Sequence, residues 1–155
     1  MIPKLPLSLM CAAALSFACG PRSRADAAPP ARDLATAAPA PGSPFAPALR
    51  VTVDDEVRFE FHVTNVGRKA AEVSFPDGRT HDVVVLDEAG REVWRWSDGR
   101  FFTQAIQQHV VRAGDGLAYD AAWERPAPGR YTAVASLASR DFPVTHRVPF
   151  VVPAM

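Results

Sequence analysis

From Val57 onward, apolar and polar positions alternate with a period of two. Val57, Phe59, Phe61 and Val63 interleave with Arg58, Glu60, His62 and Thr64, the pattern of a strand with one face in a core and one in water. Asn65-Val66-Gly67 ends this strand as a turn. Ala71, Val73 and Phe75 repeat the alternation, and Pro76-Asp77-Gly78 supplies the next turn. The run HDVVVLD, His81 to Asp87, is more continuously apolar and predicts a central strand. Glu88-Ala89-Gly90 closes it, and EVWRW, Glu92 to Trp96, predicts its partner. Further strands are expected at Gln107 to Arg112, around Leu117, Tyr119 and Trp123, at Tyr131 to Leu137 and at Val144 to Val152. No segment holds a 3.6-residue period over three turns, and only Phe102 to Gln108 leaves room for a helical turn or two. Eight or nine short strands, with turn signals every ~8–12 residues, predict an all-β antiparallel sandwich.

The aromatic residues fit that scheme. Trp94 and Trp96 fall on one face of a single strand, and Trp123 and Tyr131 flank the turn at Pro126, Pro128 and Gly129. Each is expected in the core, with its polar tip satisfied at the edge.

The alternation is absent from the first third of the chain. Lys4 precedes the apolar run LPLSLMCAAALSFA, Leu5 to Ala18. As a helix this run would reach about 21 Å, short of the ~30 Å hydrocarbon core of a bilayer. It is therefore read as the hydrophobic region of a signal peptide. The run ends at Leu15-Ser16-Phe17-Ala18-Cys19-Gly20, which resembles the lipobox of bacterial lipoproteins, with Ser16 where that motif usually carries Leu. The resemblance implies a signal peptide over 1–19 and a lipid on Cys19; simple cleavage to a soluble protein and an uncleaved anchor are the alternatives. Residues 20–47 hold seven Pro and nine Ala and no hydrophobic period. They are expected to form a disordered tether, extended by proline, ahead of a folded domain over 48–155. The expected location is the cell envelope, membrane-anchored through Cys19. Gly20, rather than Asp, after the cysteine points to the outer membrane in a two-membrane cell.

Charge narrows the partners. The 155-residue chain is formally neutral, and from residue 45 onward it carries thirteen Lys/Arg against fifteen Asp/Glu. No basic field is present to hold nucleic acid or an anionic membrane surface. Both cysteines, Cys11 and Cys19, precede the domain, so the domain has no disulfide, thiol chemistry or cysteine-bound zinc. His62, His81, His109 and His146 show no metal-ligand spacing and are read as solvated or edge residues. Asp54-Asp55-Glu56 and Asp87-Glu88 are read as turn residues, and Ser97 has no nucleophile motif around it. No cofactor, metal or catalytic residue is expected, and the protein is not expected to be an enzyme.

Several segments in order resemble one family: VTN at Val63 to Asn65, SFPDGRTHDVVV from Ser74, EVWRWSDGRFFTQA from Glu92, AGDGLAYDAAW from Ala113 and PGRYTAVASL from Pro128. Together they are similar to the BsuPI-type intracellular proteinase inhibitor domain. The resemblance implies an immunoglobulin-like β-sandwich that binds a serine protease without catalysis. The candidate binding loop is Ser97-Asp98-Gly99-Arg100-Phe101-Phe102-Thr103-Gln104. Arg100 is a candidate specificity side chain, and Phe101 and Phe102 are adjacent, so both cannot face inward on one strand. The alternative is an immunoglobulin-like binding or scaffolding module of the envelope that inhibits nothing.

Overall fold

The computed structural model describes residues 35–154. The signal peptide, Cys19 and most of the expected tether lie outside the described residues. Ten strands form: β1 (Ala35–Thr36), β2 (Phe45–Val53), β3 (Glu56–Asn65), β4 (Ala71–Phe75), β5 (His81–Asp87), β6 (Glu92–Arg95), β7 (Gln107–Val111), β8 (Gly116–Glu124), β9 (Gly129–Leu137) and β10 (Val144–Val152). One sheet runs β1-β2-β3-β8 and a second runs β10-β9-β5-β6, while β4 and β7 pair by themselves. All pairings are antiparallel. The described residues contain no helix. The all-β sandwich expected from the alternation is the observed architecture.

Alternation fixes which face is inside. On β3, Val57, Phe59, Phe61 and Val63 are buried. They meet Val83 and Val85 of β5, Ala133 and Ala135 of β9, and Phe150 of β10 in one core. Burying each phenylalanine contributes roughly 1.5–3 kcal/mol. Trp94 stacks on Phe59 at 5.6 Å, and Trp123 meets the Tyr131 ring edge-on at 5.1 Å. Both tryptophans are half-buried lids over this core.

Two corners explain short motifs. Asn65, at the end of VTN, is fully buried where β3 gives way to β4. Its Nδ2 donates to the carbonyls of Lys69 and Val111, and its Oδ1 accepts from the Gly67 N–H. Its backbone pairs with Asp115 and Gly114, so every polar group of this buried residue has a partner. In PGRY, the Tyr131 hydroxyl donates back to the Ala127 carbonyl at 3.0 Å. The ring lies so close to Gly129 that a Cβ there would sit 3.0 Å from the Tyr131 hydroxyl oxygen, which accounts for the glycine.

Two segments differ from the sequence reading. Among the described residues, strands already form within the segment read as tether. Phe45, Ala46 and Pro47 are buried in β2, Phe45 packs edge-on against Phe142, and Ala35 and Thr36 pair with Leu49 and Ala48. Pro47 is tolerated because the sheet there uses its carbonyl, which accepts the Ala37 N–H. No helical turn forms within Phe102 to Gln108, where the sequence leaves room for one. The chain is irregular from 101 to 106 and then enters β7. The Thr103 carbonyl that a helix would use accepts the Gly78 N–H instead.

Candidate functional site

The loop that follows β6 is built from the hairpin beneath it. Val84 pairs with Arg95 across β5 and β6, and the Trp96 N–H donates to the Val83 carbonyl at 2.8 Å. Continuing that register sets Asp82 opposite Ser97 on the outward face and Val83 beside Trp96 on the inward face. Asp82 is buried although it lies on the outward face, because polar groups close over it. Its carboxylate accepts from the Ser97 hydroxyl at 2.7 Å, the Ser97 N–H at 3.2 Å and Arg95 Nη1 at 2.9 Å. Arg79 adds a longer ion pair at 3.8 Å. Arg95 also holds Glu92, and the bonds to Glu92 and then Asp82 raise its already high pKa further. The first residue of the loop is thereby fixed to the sheet.

Trp96 forms the floor. His81 lies 4.1 Å from it, centroid to centroid, and is stacked on its other neighbour, Tyr119, at 4.2 Å. The reading of His81 as a solvated or edge histidine is corrected. It is buried between two aromatic rings, one at the start of the turn after β6 and one on β8, and burial pushes its pKa down to about 4. Burial likewise raises the Tyr119 hydroxyl. His62 lies on the face of β3 opposite Phe61. Among the described residues, no three His, Cys, Asp or Glu side chains gather as metal ligands would.

Above that floor the loop turns tightly. Asp98 and Arg100 donate backbone N–H groups to Arg95 and Ser97, and Gly99 adopts φ +70°, a conformation that favours glycine. Arg100 folds back, its guanidinium 4.6 Å from the Trp96 ring centroid and its Nε donating to the Trp96 carbonyl at 2.8 Å. Phe102 also leans on Trp96, at 5.7 Å. Phe101 is fully exposed. Thr103 is fastened at Gly78, where a Cβ would sit 2.6 Å from Thr103 Oγ1 and 3.0 Å from its backbone nitrogen. Gln104 Nε2 donates only weakly, at 3.4 Å, to the Phe102 carbonyl. A shallow groove runs alongside, lined by Asp77, Arg79, Ser97, Arg100 and Gln104 together with the two phenylalanines. A larger depression, lined by Asp87, Glu88, Arg130 and Pro149 among others, lies away from this loop.

The structure thus brings the eight predicted loop residues into one exposed, braced turn. Arg100 is exposed, with its guanidinium over the Trp96 ring and its Nε bonded to the Trp96 carbonyl. Sequence reasoning missed Asp82, Gly78 and His81. A signal for Asp82 existed, since an acid within HDVVVLD and the Arg and Ser of VWRWS share parity on neighbouring strands of a hairpin.

A family model described as intracellular proteinase inhibitor, BsuPI, matches residues 47–142. No curated protein matches the chain. Among solved structures, a β-glucuronidase from glycoside hydrolase family 2 aligns at a TM-score of 0.39 and 9% identity, over 67% of this chain and 11% of that one. β-Glucosidase 3B from Thermotoga neapolitana in complex with glucose aligns at 0.39 and 16%, over 68% of this chain and 15% of that one. The chain therefore spans a small fraction of these enzymes, and the alignments carry nothing about activity.

Proposed function

Because this chain belongs to the intracellular proteinase inhibitor (BsuPI) family, we propose that it binds a serine protease without chemistry of its own, through the loop Ser97–Gln104. The observation that carries this reading is the family match over residues 47–142, which contains the whole loop. The loop has the physical properties such binding needs. It is exposed and presents a large apolar side chain, and its conformation is set before any partner arrives. A preset loop loses little conformational entropy on docking and is slow to open into a cleavable shape. The test is titration of the purified full chain against a panel of serine proteases. Saturable inhibition with the chain left intact supports the proposal. Absence of inhibition at micromolar excess, or rapid cleavage within the loop, sinks it.

The proposal extends to location. The leader over 1–19 and the Pro/Ala-rich segment after it would present the domain from the cell envelope, anchored by a lipid on Cys19. The protease it meets would then be exported or envelope-bound, a different setting from the intracellular one in the family's description. Mass spectrometry of the mature N-terminus checks this. Diacylated Cys19 is the expected start, and an unmodified start further along removes the anchor.

One observation favours a second reading, a binding or scaffolding module. Val110 on β7 and Ile106 just before it are exposed apolar side chains apart from the loop. A stable non-protease partner that is retained after changes in Ser97–Gln104 would favour that reading over inhibition.

A further inference from the structure

The described residues contain eight phenylalanines. Five are buried, Phe102 and Phe142 are half-buried, and Phe101 alone is fully exposed. It lies between two side chains that turn the other way. Arg100 lays its charge over Trp96, and Phe102 packs on the same indole. The two neighbours of Phe101 are thus pinned to one ring, which directs Phe101 outward. The backbone on either side is fastened as well, at Ser97 to Asp82 and at Thr103 to Gly78.

We propose that Phe101 is the specificity residue of the loop, entering a deep apolar pocket of the target, and that Arg100 is a positioning residue. The proposal rests on the reading that this loop binds a protease. It names the class of target: serine proteases whose main pocket takes aromatic side chains, not those whose acidic pocket takes Arg or Lys. Arg100 could enter an acidic pocket only by leaving both the Trp96 ring and the Trp96 carbonyl, whereas Phe101 gives up no contact within the chain. A large aromatic that is exposed and carried between fixed neighbours is the kind of side chain that dominates an interface once it is desolvated.

The test compares the full chain with its Phe101→Ala, Phe101→Arg and Arg100→Ala variants. Each is titrated against one protease with an apolar, aromatic-accepting pocket and one with an acidic pocket. The unchanged chain is expected to prefer the first. Phe101→Ala should raise its inhibition constant on the order of 30-fold or more, with the melting temperature unmoved because nothing packs on this ring. Phe101→Arg should shift preference toward the acidic-pocket enzyme. Arg100→Ala should weaken inhibition less and leave the preference as it was. If the unchanged chain inhibits but Phe101→Ala does so equally well, or the preference is for the acidic pocket, the assignment falls while protease binding stands. If the unchanged chain inhibits neither enzyme nor any other of a serine protease panel, both fall.

Discussion

Asp82 and Ser97 face each other across the β5–β6 hairpin, and the Ser97 hydroxyl donates to the buried Asp82 carboxylate at 2.7 Å. This pair joins the sandwich to the loop that carries Phe101. The same carboxylate accepts Arg95, so one acid holds both the strand and the turn leaving it.

Asp82→Ala is expected to destabilise the fold by about 3 kcal/mol, because Arg95 and Ser97 lose a shared buried acceptor. Ser97→Ala should cost about 1 kcal/mol, since Asp82 keeps Arg95 and the Ser97 N–H. Denaturant unfolding of both variants checks the ratio. Equal losses would mean that Asp82 does not act as a hub.

Asn65→Ala removes two donors and one acceptor from a fully buried corner. The carbonyl of Val111 and the N–H of Gly67 are left without these partners. A loss of about 2–4 kcal/mol is expected. Asn65→Asp is no rescue, because a carboxylate cannot donate to the Lys69 and Val111 carbonyls. Chemical denaturation of the two variants would show this, and an Asp variant as stable as the parent would contradict the corner's hydrogen-bond assignment.

His81 gives the stability a pH dependence. Its folded pKa, about 4, is below the ordinary value of 6.5, first because burial disfavours the charged ring and despite the nearby Asp82. The unfolded chain therefore binds this proton at higher pH than the folded chain. The contribution is fully present above pH 6.5 and is lost as pH falls from there toward about 4. The loss amounts to roughly 3 kcal/mol over that window. His81→Gln should flatten the slope above the carboxylate range. Melting temperatures between about pH 7 and about pH 5 provide the comparison, and parallel curves for the two proteins would remove His81 as the cause.

These residues differ in how far the sequence discloses them. Val57 to Val63 was legible because one face is buried and one is wet, which leaves a period of two in the chain itself. The start of β2 was not, because Pro44 and Pro47 look like tether, while Phe45 is enclosed only when Phe142 arrives from far along the chain. His81 was misread for a similar reason. Its burial is due to Trp96 and Tyr119, which belong to two other parts of the sandwich. The adjacent Phe101 and Phe102 announced that one of them would face outward. Which residue projects was decided by Trp96, whose ring takes Arg100 and Phe102 and leaves Phe101.

Gly78 offers a way to separate the loop's shape from the stability of the fold. A Cβ at this position would lie 2.6 Å from Thr103 Oγ1 and 3.0 Å from the Thr103 backbone nitrogen. The threonine side chain can rotate away, but the backbone contact remains, so Gly78→Ala is expected to shift the loop at Thr103 by a few tenths of an ångström. The Gly78 N–H bond to the Thr103 carbonyl, 2.8 Å long, is lost or stretched. The change touches the rim of the sandwich and none of its buried aromatic residues, so stability should fall by only about 1–2 kcal/mol. Phe101, two residues before Thr103, would lose one of its two fixed flanks. Inhibition should therefore weaken by roughly 10-fold or more, beyond what unfolding explains at working temperature. Hydrogen exchange should rise at the amides of 100–104 while those of Val83 and Val85 stay protected. Thr103→Ala combined with Gly78→Ala should recover only part of the inhibition, because the clash with the backbone nitrogen persists. Full recovery in the double variant would mean that the hydroxyl, not the path of the chain, sets the loop.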